Sequence, residues 1–353
     1  MALLERQFQN AHGAASGAAR PREGALDLLK LALAVMVVGL HGNVLREAGN
    51  LVGVPVQAVL RLAVPTFFLV SGLFLERMSP SQMRTWLWRL VGLYLGWSVV
   101  YAVPWLVSGP RDTVQIVTTL VFGHHHLWFL TALIGAGIIL HRLRNLGTVA
   151  LLGIAAMSFA LGVGLQYVGN YHLIADPAVD ALVNQFWVYR NFLFFGLPFL
   201  TVGFLLSRHS DAHRFPRPTL VLAMFCGLMV LFAERAANVW LTAGRETFDL
   251  MASLPLVAVP LVLWVRTFEV SVDTRAVASI ATTVYLIHVL ILDWMTAWGG
   301  LTETPTVIVT VGISCLAGYL FVRLRRAMPI VPRVVSWPFG PAKRGGDDQE
   351  ASR

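Results

Sequence analysis

The chain has 353 residues, of which 56% are hydrophobic and only 13% charged, where soluble domains carry about a quarter charged residues; its mean hydropathy is +0.67. That composition excludes a water-soluble globule. Lys and Arg number 27 against 19 Asp and Glu, a formal charge of +8, and so basic a chain raises nucleic acid as a partner until the charges are placed. The two cysteines, Cys226 and Cys315, both lie in apolar runs and offer no disulfide framework or Cys-based zinc site.

In chain order, residues 1–25 read as a small, polar, Ala/Gly-rich tail, and the apolar run after them lacks a small-residue cleavage signature, so it reads as a retained anchor. Hydropathy predicts spans near 26–45, 54–75, 87–107, 126–140, 148–168, 186–206, 219–238, 250–267, 277–297 and 305–324. The fourth is short, and residues 112–125 before it read as a surface or re-entrant helix, since irregular backbone at membrane depth survives only against protein or water. The expected fold class is an all-α membrane protein, a polytopic helical bundle of about ten transmembrane helices. Its parts are an N-terminal tail (1–25), a transmembrane domain (26–325) and a polar C-terminal tail (326–353).

The charges sort by connection. With the N-terminus cytoplasmic, 21 of the 27 Lys and Arg residues fall on the cytoplasmic side. They include Arg6, Arg20, Arg22, Lys30, Arg77, Arg84, Arg89, Arg214 and the seven basic residues from Arg323 onward. The other side keeps Arg46, Arg111 and Arg245 in loops, with Arg61, Arg190 and Arg235 in or beside spans. The positive-inside rule then places both termini in the cytoplasm. The excess charge records orientation, so no nucleic-acid partner is expected, and membrane lipids are.

Ionisable groups within apolar spans are costly and point to function or to a specific partner. The first span, LDLLKLALAVMVVGLH, carries Asp27, Lys30 and His41. Eleven residues separate Lys30 from His41, three turns plus about 20°, so the two share one face roughly 16–17 Å apart. Asp27 stands at i,i+3 to Lys30, where a pair can form. The bland alternative makes Asp27 and Lys30 interfacial anchors and His41 a snorkelling cap. In RLAVPTFFLVSGLFLERM, Pro65 removes a helix hydrogen bond and Ser71-Gly72 permits close helix packing, while Arg61 needs an acceptor. His124, His125 and His126 follow one another and so cannot share a helix face, which argues against a metal cluster and leaves an interfacial belt beside Trp128 as the plain reading. Arg190 and the Glu234-Arg235 pair either form salt bridges or line a cavity. Tyr285 and His288 share a face of the ninth span with Asp293 beyond, as a site or as packed residues.

Several of these segments together resemble one family, the integral-membrane acyltransferases of acyltransferase family 3. Asp27, Lys30 and His41 match its opening Asp-x-x-[Arg/Lys]-x10-His pattern, with Lys where many members have Arg. Pro65, Phe67, Phe68, Ser71 and Gly72 match its Pro-x-Phe-Phe-x-x-Ser-Gly signature, and HLWFLTALI, RNFLFFGLPF and YLIH follow in the family's order. The resemblance runs from about residue 24 to 325; residues 112–125 match none of its signatures. It implies an acyl-CoA-dependent O-acetyltransferase of a bacterial inner membrane that moves acetyl from acetyl-CoA to a hydroxyl of a cell-surface or secreted polysaccharide, such as exopolysaccharide, or of its lipid-linked precursor. It also implies His41 as the essential histidine and Lys30 as its basic partner.

Acyl transfer from a thioester needs a base for the acceptor's proton, or a nucleophile to hold the acyl group, and donors for the oxyanion. His41 can be either base or relay, with Asp27 holding Lys30. Lys30, Arg84 and Arg89 are the expected contacts for the phosphates of CoA, since Arg offers bidentate geometry to phosphate. His126, Arg190, Tyr285 and His288 are the expected acceptor or oxyanion contacts, and no metal is expected. The competing class is a secondary transporter or flippase with Lys30, His41, Arg190 and Glu234 as an anion path. Inverted repeats would support that class, and the two halves show no internal symmetry.

Overall fold

The computed structural model describes residues 23–107, 109, 112–209 and 215–327. Most of the expected N-terminal tail, the C-terminal tail beyond Ala327, and Arg6, Arg20, Arg22, Arg111 and Arg214 lie outside the described residues. Helices account for the regular structure throughout, with no strand among the described residues. Helix α1 (Gly24–His41) is followed by α2 (Asn50–Leu60) and α3 (Ala63–Leu75), then by α4 (Pro80–Val107) and the short α5 (Thr113–Phe122). Next come α6 (Trp128–Leu143), α7 (Thr148–Asn170), and two short helices, α8 (Pro177–Val183) and α9 (Phe186–Tyr189). The chain closes with α10 (Leu197–Arg208), α11 (Arg217–Leu241), α12 (Leu254–Val265), α13 (Arg275–Trp298) and α14 (Glu303–Ala327).

Among the described residues, eight stretches are long and apolar enough to cross a membrane: α1, the α2–α3 pair, α4, His125–Leu143, α7, α11, α13 and α14. The sixth and eighth predicted spans appear as shorter apolar helices, Phe192–Arg208 and α12. With 12 residues, α12 reaches about 18 Å, well short of a ~30 Å hydrocarbon core. The chain is an all-α polytopic membrane protein.

Local sequence explains the irregularities. Pro65 has no N–H to donate, and its ring crowds the carbonyl four residues back, which is that of Arg61. The helix breaks there, with α2 ending at Leu60 and α3 restarting at Ala63. Close approach of α3 to α10 depends on two glycines. A Cβ on Gly72 would stand 2.1 Å from the Leu200 carbonyl oxygen, and one on Gly203 would stand 2.0 Å from that of Leu69. Dispersion between close backbones, not water exclusion, is what holds helices together in lipid. The core helices are accordingly α1, α3, α10 and α13, with α1 packed on both α13 and α3. On α4 the side chains of Leu95, Val99 and Val103 point outward, as lipid-facing residues do.

The predicted surface or re-entrant stretch forms α5, which opens with a capping box: the Asp112 carboxylate accepts from the Gln115 N–H, and the Gln115 side chain accepts from the Asp112 N–H. Tyr94 of α4 donates to the Leu120 carbonyl at 2.6 Å, and Thr131 of α6 donates to that of Phe122 at 2.9 Å. Its apolar residues Val114, Val117, Leu120 and Val121 face outward.

Candidate active site

His41 is the last residue of α1, and two segments remote in sequence bring imidazoles to it. The ring of His288, from the middle of α13, lies 5.3 Å from that of His41, centroid to centroid. The ring of His126 lies 6.4 Å from His41 and 4.8 Å from His288. His126 comes from a single 3-10 turn, His125–Leu127, leading into α6. His125 in that turn has φ +46°, and Asn43, just after His41, has φ +52°. Left-handed backbone costs a non-glycine residue roughly 1–2 kcal/mol, and strain of this kind gathers at functional sites. The twist at His125 separates the three consecutive histidines. His126 turns inward and is buried, while the rings of His124 and His125 contact each other at 4.1 Å.

Hydrogen bonds set the roles of these rings. His288 Nδ1–H donates to the Tyr285 carbonyl at 2.7 Å, which leaves the lone pair on Nε2, a buried atom without a partner. Both ring nitrogens of His126 are also buried and unpartnered. Tyr285 O–H donates to the His126 carbonyl at 2.6 Å. That bond holds the 3-10 turn, so Tyr285, expected as an acceptor or oxyanion contact, is placed here where it positions His126. The described residues contain no His, Cys, Asp or Glu group with metal-holding geometry.

His41 opens onto a cavity of about 630 Å³ whose lining also includes His126, Tyr285, Arg61, Arg190 and Asp249. That is an ordinary size for a small-molecule site. Helix α5 covers part of it with Gln115, Thr118 and Thr119, so this helix turns its polar face inward and its apolar face outward. Phe122 at its end stacks on Trp187 at 5.3 Å. A second cavity, of about 480 Å³, shares His41, Asn43 and His125 with the first and carries Asp293 and Glu303.

Arg61 was expected to need an acceptor, and the acceptor is Asp249, which the sequence reading passed over. Arg61 Nε lies 3.4 Å from Asp249 Oδ1, and Arg190 Nη2 pairs with Oδ2 of the same carboxylate. Arg61 Nη1 also donates to the Gln57 carbonyl at 3.0 Å. Burial works to raise the Asp249 carboxyl, but the guanidiniums of Arg190 and Arg61 outweigh it and hold the group below its ordinary value. Asp249 sits in a buried loop flanked by Phe248 and Leu250, whose backbone groups need partners. Gln166 supplies two of them, donating to the Thr247 carbonyl at 3.1 Å and accepting from the Leu250 N–H at 2.8 Å. Glu234 does not pair with Arg190. Instead it accepts from the Ala252 and Ser253 N–H groups at 2.7 and 2.8 Å and from the hydroxyls of Tyr167 and Ser253. That anchors the start of α12.

At the other end of α1, the Lys30–Asp27 pair forms at 3.1 Å. Thr274 donates to Asp27 at 2.7 Å, and Lys30 Nζ lies 4.8 Å from the centre of the Phe74 ring. Lys30, one of the expected contacts for the phosphates of CoA, is only 1% exposed and is packed inside. Glu23 closes that end by pairing with Arg77 at 3.1 Å and Arg266 at 3.2 Å. Arg84 is exposed and Arg89 partly exposed on α4. Their five-residue offset puts them about 140° apart around the helix, so they do not share a face.

An all-α membrane protein whose first helix delivers a histidine to an imidazole cluster, in a polar cavity walled by an Arg–Asp–Arg bridge, is the class that fold and site define. A family model described as an acyltransferase domain, acyltransferase family 3, matches residues 23–323, and the chain belongs to that family. It is a polytopic membrane protein that carries an acyltransferase domain. The chain is also 23% identical over 301 residues to a protein named amino-acid racemase from Enterococcus faecalis. The match covers 77% of this chain but 41% of the racemase, so the chain spans about two fifths of the length of that curated relative. No solved structure matches the chain.

Proposed function

We propose that this acyltransferase moves an acetyl group from acetyl-CoA to a hydroxyl of a cell-surface or secreted polysaccharide, or of its lipid-linked precursor, in a bacterial inner membrane. The observation that carries the reading is the group of three imidazoles, His41, His126 and His288, gathered where His41 meets a cavity large enough for a sugar unit. In the reaction, His41 takes the proton of the acceptor hydroxyl as the oxygen attacks the thioester carbonyl. The tetrahedral intermediate collapses, the C–S bond breaks, the ester forms, and the proton leaves on the thiol of CoA. His288, whose lone pair on Nε2 stays free, orients His41 and shares its proton. Arg84 and Arg89, about 140° apart around α4, meet different phosphates of the donor on the cytoplasmic side. Lys30 and Asp27 are positioning residues that fix α1 and hence the height of His41. The distribution of 21 of 27 basic residues supports cytoplasmic termini, with the cavity facing away from the cytoplasm. Comparing the O-acetyl content of surface and secreted polysaccharide from cells with and without the gene tests this. Loss of acetyl ester is expected, and unchanged content contradicts the reading.

A further inference from the structure

The charges around the cavity do not balance. Arg61, Arg190 and Arg235 surround the single carboxylate of Asp249, with Arg235 within electrostatic reach of both Arg61 and Asp249. Both oxygens of Asp249 are engaged, one by Arg61 and one by Arg190. Arg235 Nε and Nη1 and Arg190 Nε are buried with no hydrogen-bond partner. The nearby Glu246 is occupied by His172, at 3.5 Å. Three guanidiniums meet one pairing carboxylate, since the neighbouring Glu234 is held by the Ala252 and Ser253 N–H groups and by the hydroxyls of Tyr167 and Ser253, and Arg235 has no ion pair among the described residues. A charge left unpaired there is costly, and the positive-inside rule supplies no reason for arginines at this end.

We propose that the acceptor bears an anionic group, a carboxylate or a phosphate, which docks against Arg190 and Arg61 within the field of Arg235 while a neighbouring hydroxyl is presented to His41. The proposal rests on the acyl-transfer reading and adds to it the chemical class of the acceptor. Arg61 and Arg190 line the same cavity as His41, so one molecule can meet both. Guanidinium offers an oxyanion two parallel N–H donors. The second cavity beside His41 repels an anion, because Asp293 and Glu303 line it with no Lys or Arg among its lining residues. The two cavities therefore differ in sign, and the anion belongs to the first.

Trp105, Trp128 and Trp187 line that cavity, so tryptophan emission reports its occupancy. The full chain in nanodiscs of zwitterionic lipid is titrated with D-glucuronate, glucose 1-phosphate and D-glucose, with no acyl donor present. Saturable binding of the two anions, weakening as salt rises, and no binding of glucose are expected. Arg190→Gln and, separately, Arg235→Gln raise the glucuronate Kd at least tenfold, and Arg190→Lys recovers part of the loss. Arg235→Gln keeps the test decisive if Arg190→Gln unfolds, since Arg235 makes no hydrogen bond to Asp249. Equal binding of glucuronate and glucose, or anion binding indifferent to both substitutions, overturns the proposal. So does coenzyme A displacing glucuronate with an affinity that depends on Arg190, because the anion would then be the donor's phosphate. In a parallel assay with acetyl-CoA and the surface polysaccharide, transfer that persists without anion binding overturns the anion site alone. Anion binding without transfer overturns the acyl-transfer reading.

Discussion

Lys30 is the residue where burial and expected role diverge, and a mutant cycle separates the two. Its side chain and that of Asp27 are 2% and 4% exposed, so solvent does not screen the pair. Removing one partner of such a pair leaves an uncompensated buried charge, at a cost of about 3–5 kcal/mol. Lys30→Met should therefore lower the folded-to-unfolded ratio at least about a hundredfold. Asp27→Asn combined with Lys30→Met removes both charges and keeps a side-chain oxygen for Thr274, which donates to Asp27 at 2.7 Å. That double variant should return to within about 1 kcal/mol of the parent, since a buried pair replaced as a unit is often neutral. Thermal unfolding in nanodiscs measures stability, and CoA release from acetyl-CoA measures transfer. Because Lys30 acts by fixing α1, transfer should recover together with stability in the double variant. A double variant that is stable but inactive, with a raised KM for acetyl-CoA, refutes this reasoning and returns Lys30 to the donor site. A Lys30→Met protein as stable as the parent refutes the burial argument itself.

Two further outcomes follow from packing and charge. Gly72→Ala places a methyl 2.1 Å from the Leu200 carbonyl oxygen and should cost about 1–3 kcal/mol, as overpacking does, whereas Gly92→Ala, with nothing within 4 Å, should be neutral or slightly stabilising; equal unfolding temperatures for the two variants would contradict the close α3–α10 contact. His172, outside the spans, hydrogen-bonds Asp180 at 2.7 Å, and that bond holds its pKa above the ordinary imidazole value, with Glu246 adding to the effect. A raised native pKa means that this stabilisation is present in acid and lost as pH rises through the raised value. Amide exchange in residues 171–185 should therefore quicken with pH beyond its intrinsic dependence, and His172→Ala should remove the excess.

The apolar runs were legible because lipid imposes length and composition on each helix separately. All ten reappear as apolar helices, two of them short. The i,i+3 pairing of Asp27 with Lys30 was legible for the same reason, being local. Its burial was not, because Glu23, Arg77 and Arg266 close that end from three separate parts of the chain. His41, His126 and His288 each stood out as ionisable residues in apolar sequence, yet their convergence within 6.4 Å comes from the packing of α13 on α1 and from the left-handed turn at His125. Asp249 was missed although Arg61 had signalled the need for an acceptor. It lies between spans, in TFDLMASLP, where an acidic residue looks like ordinary loop composition. Only the grip of Gln166 and Glu234 on that loop brings it to the arginines.

Everything proposed about the reaction turns on His41. Purified protein in nanodiscs, given acetyl-CoA and the surface polysaccharide of a strain lacking the gene, releases CoA and forms acetyl ester in equal amounts. The measurement is that paired release with His41→Ala protein whose unfolding temperature matches the parent. The account predicts loss of both products. Ester formation at the parental rate without the His41 imidazole contradicts it.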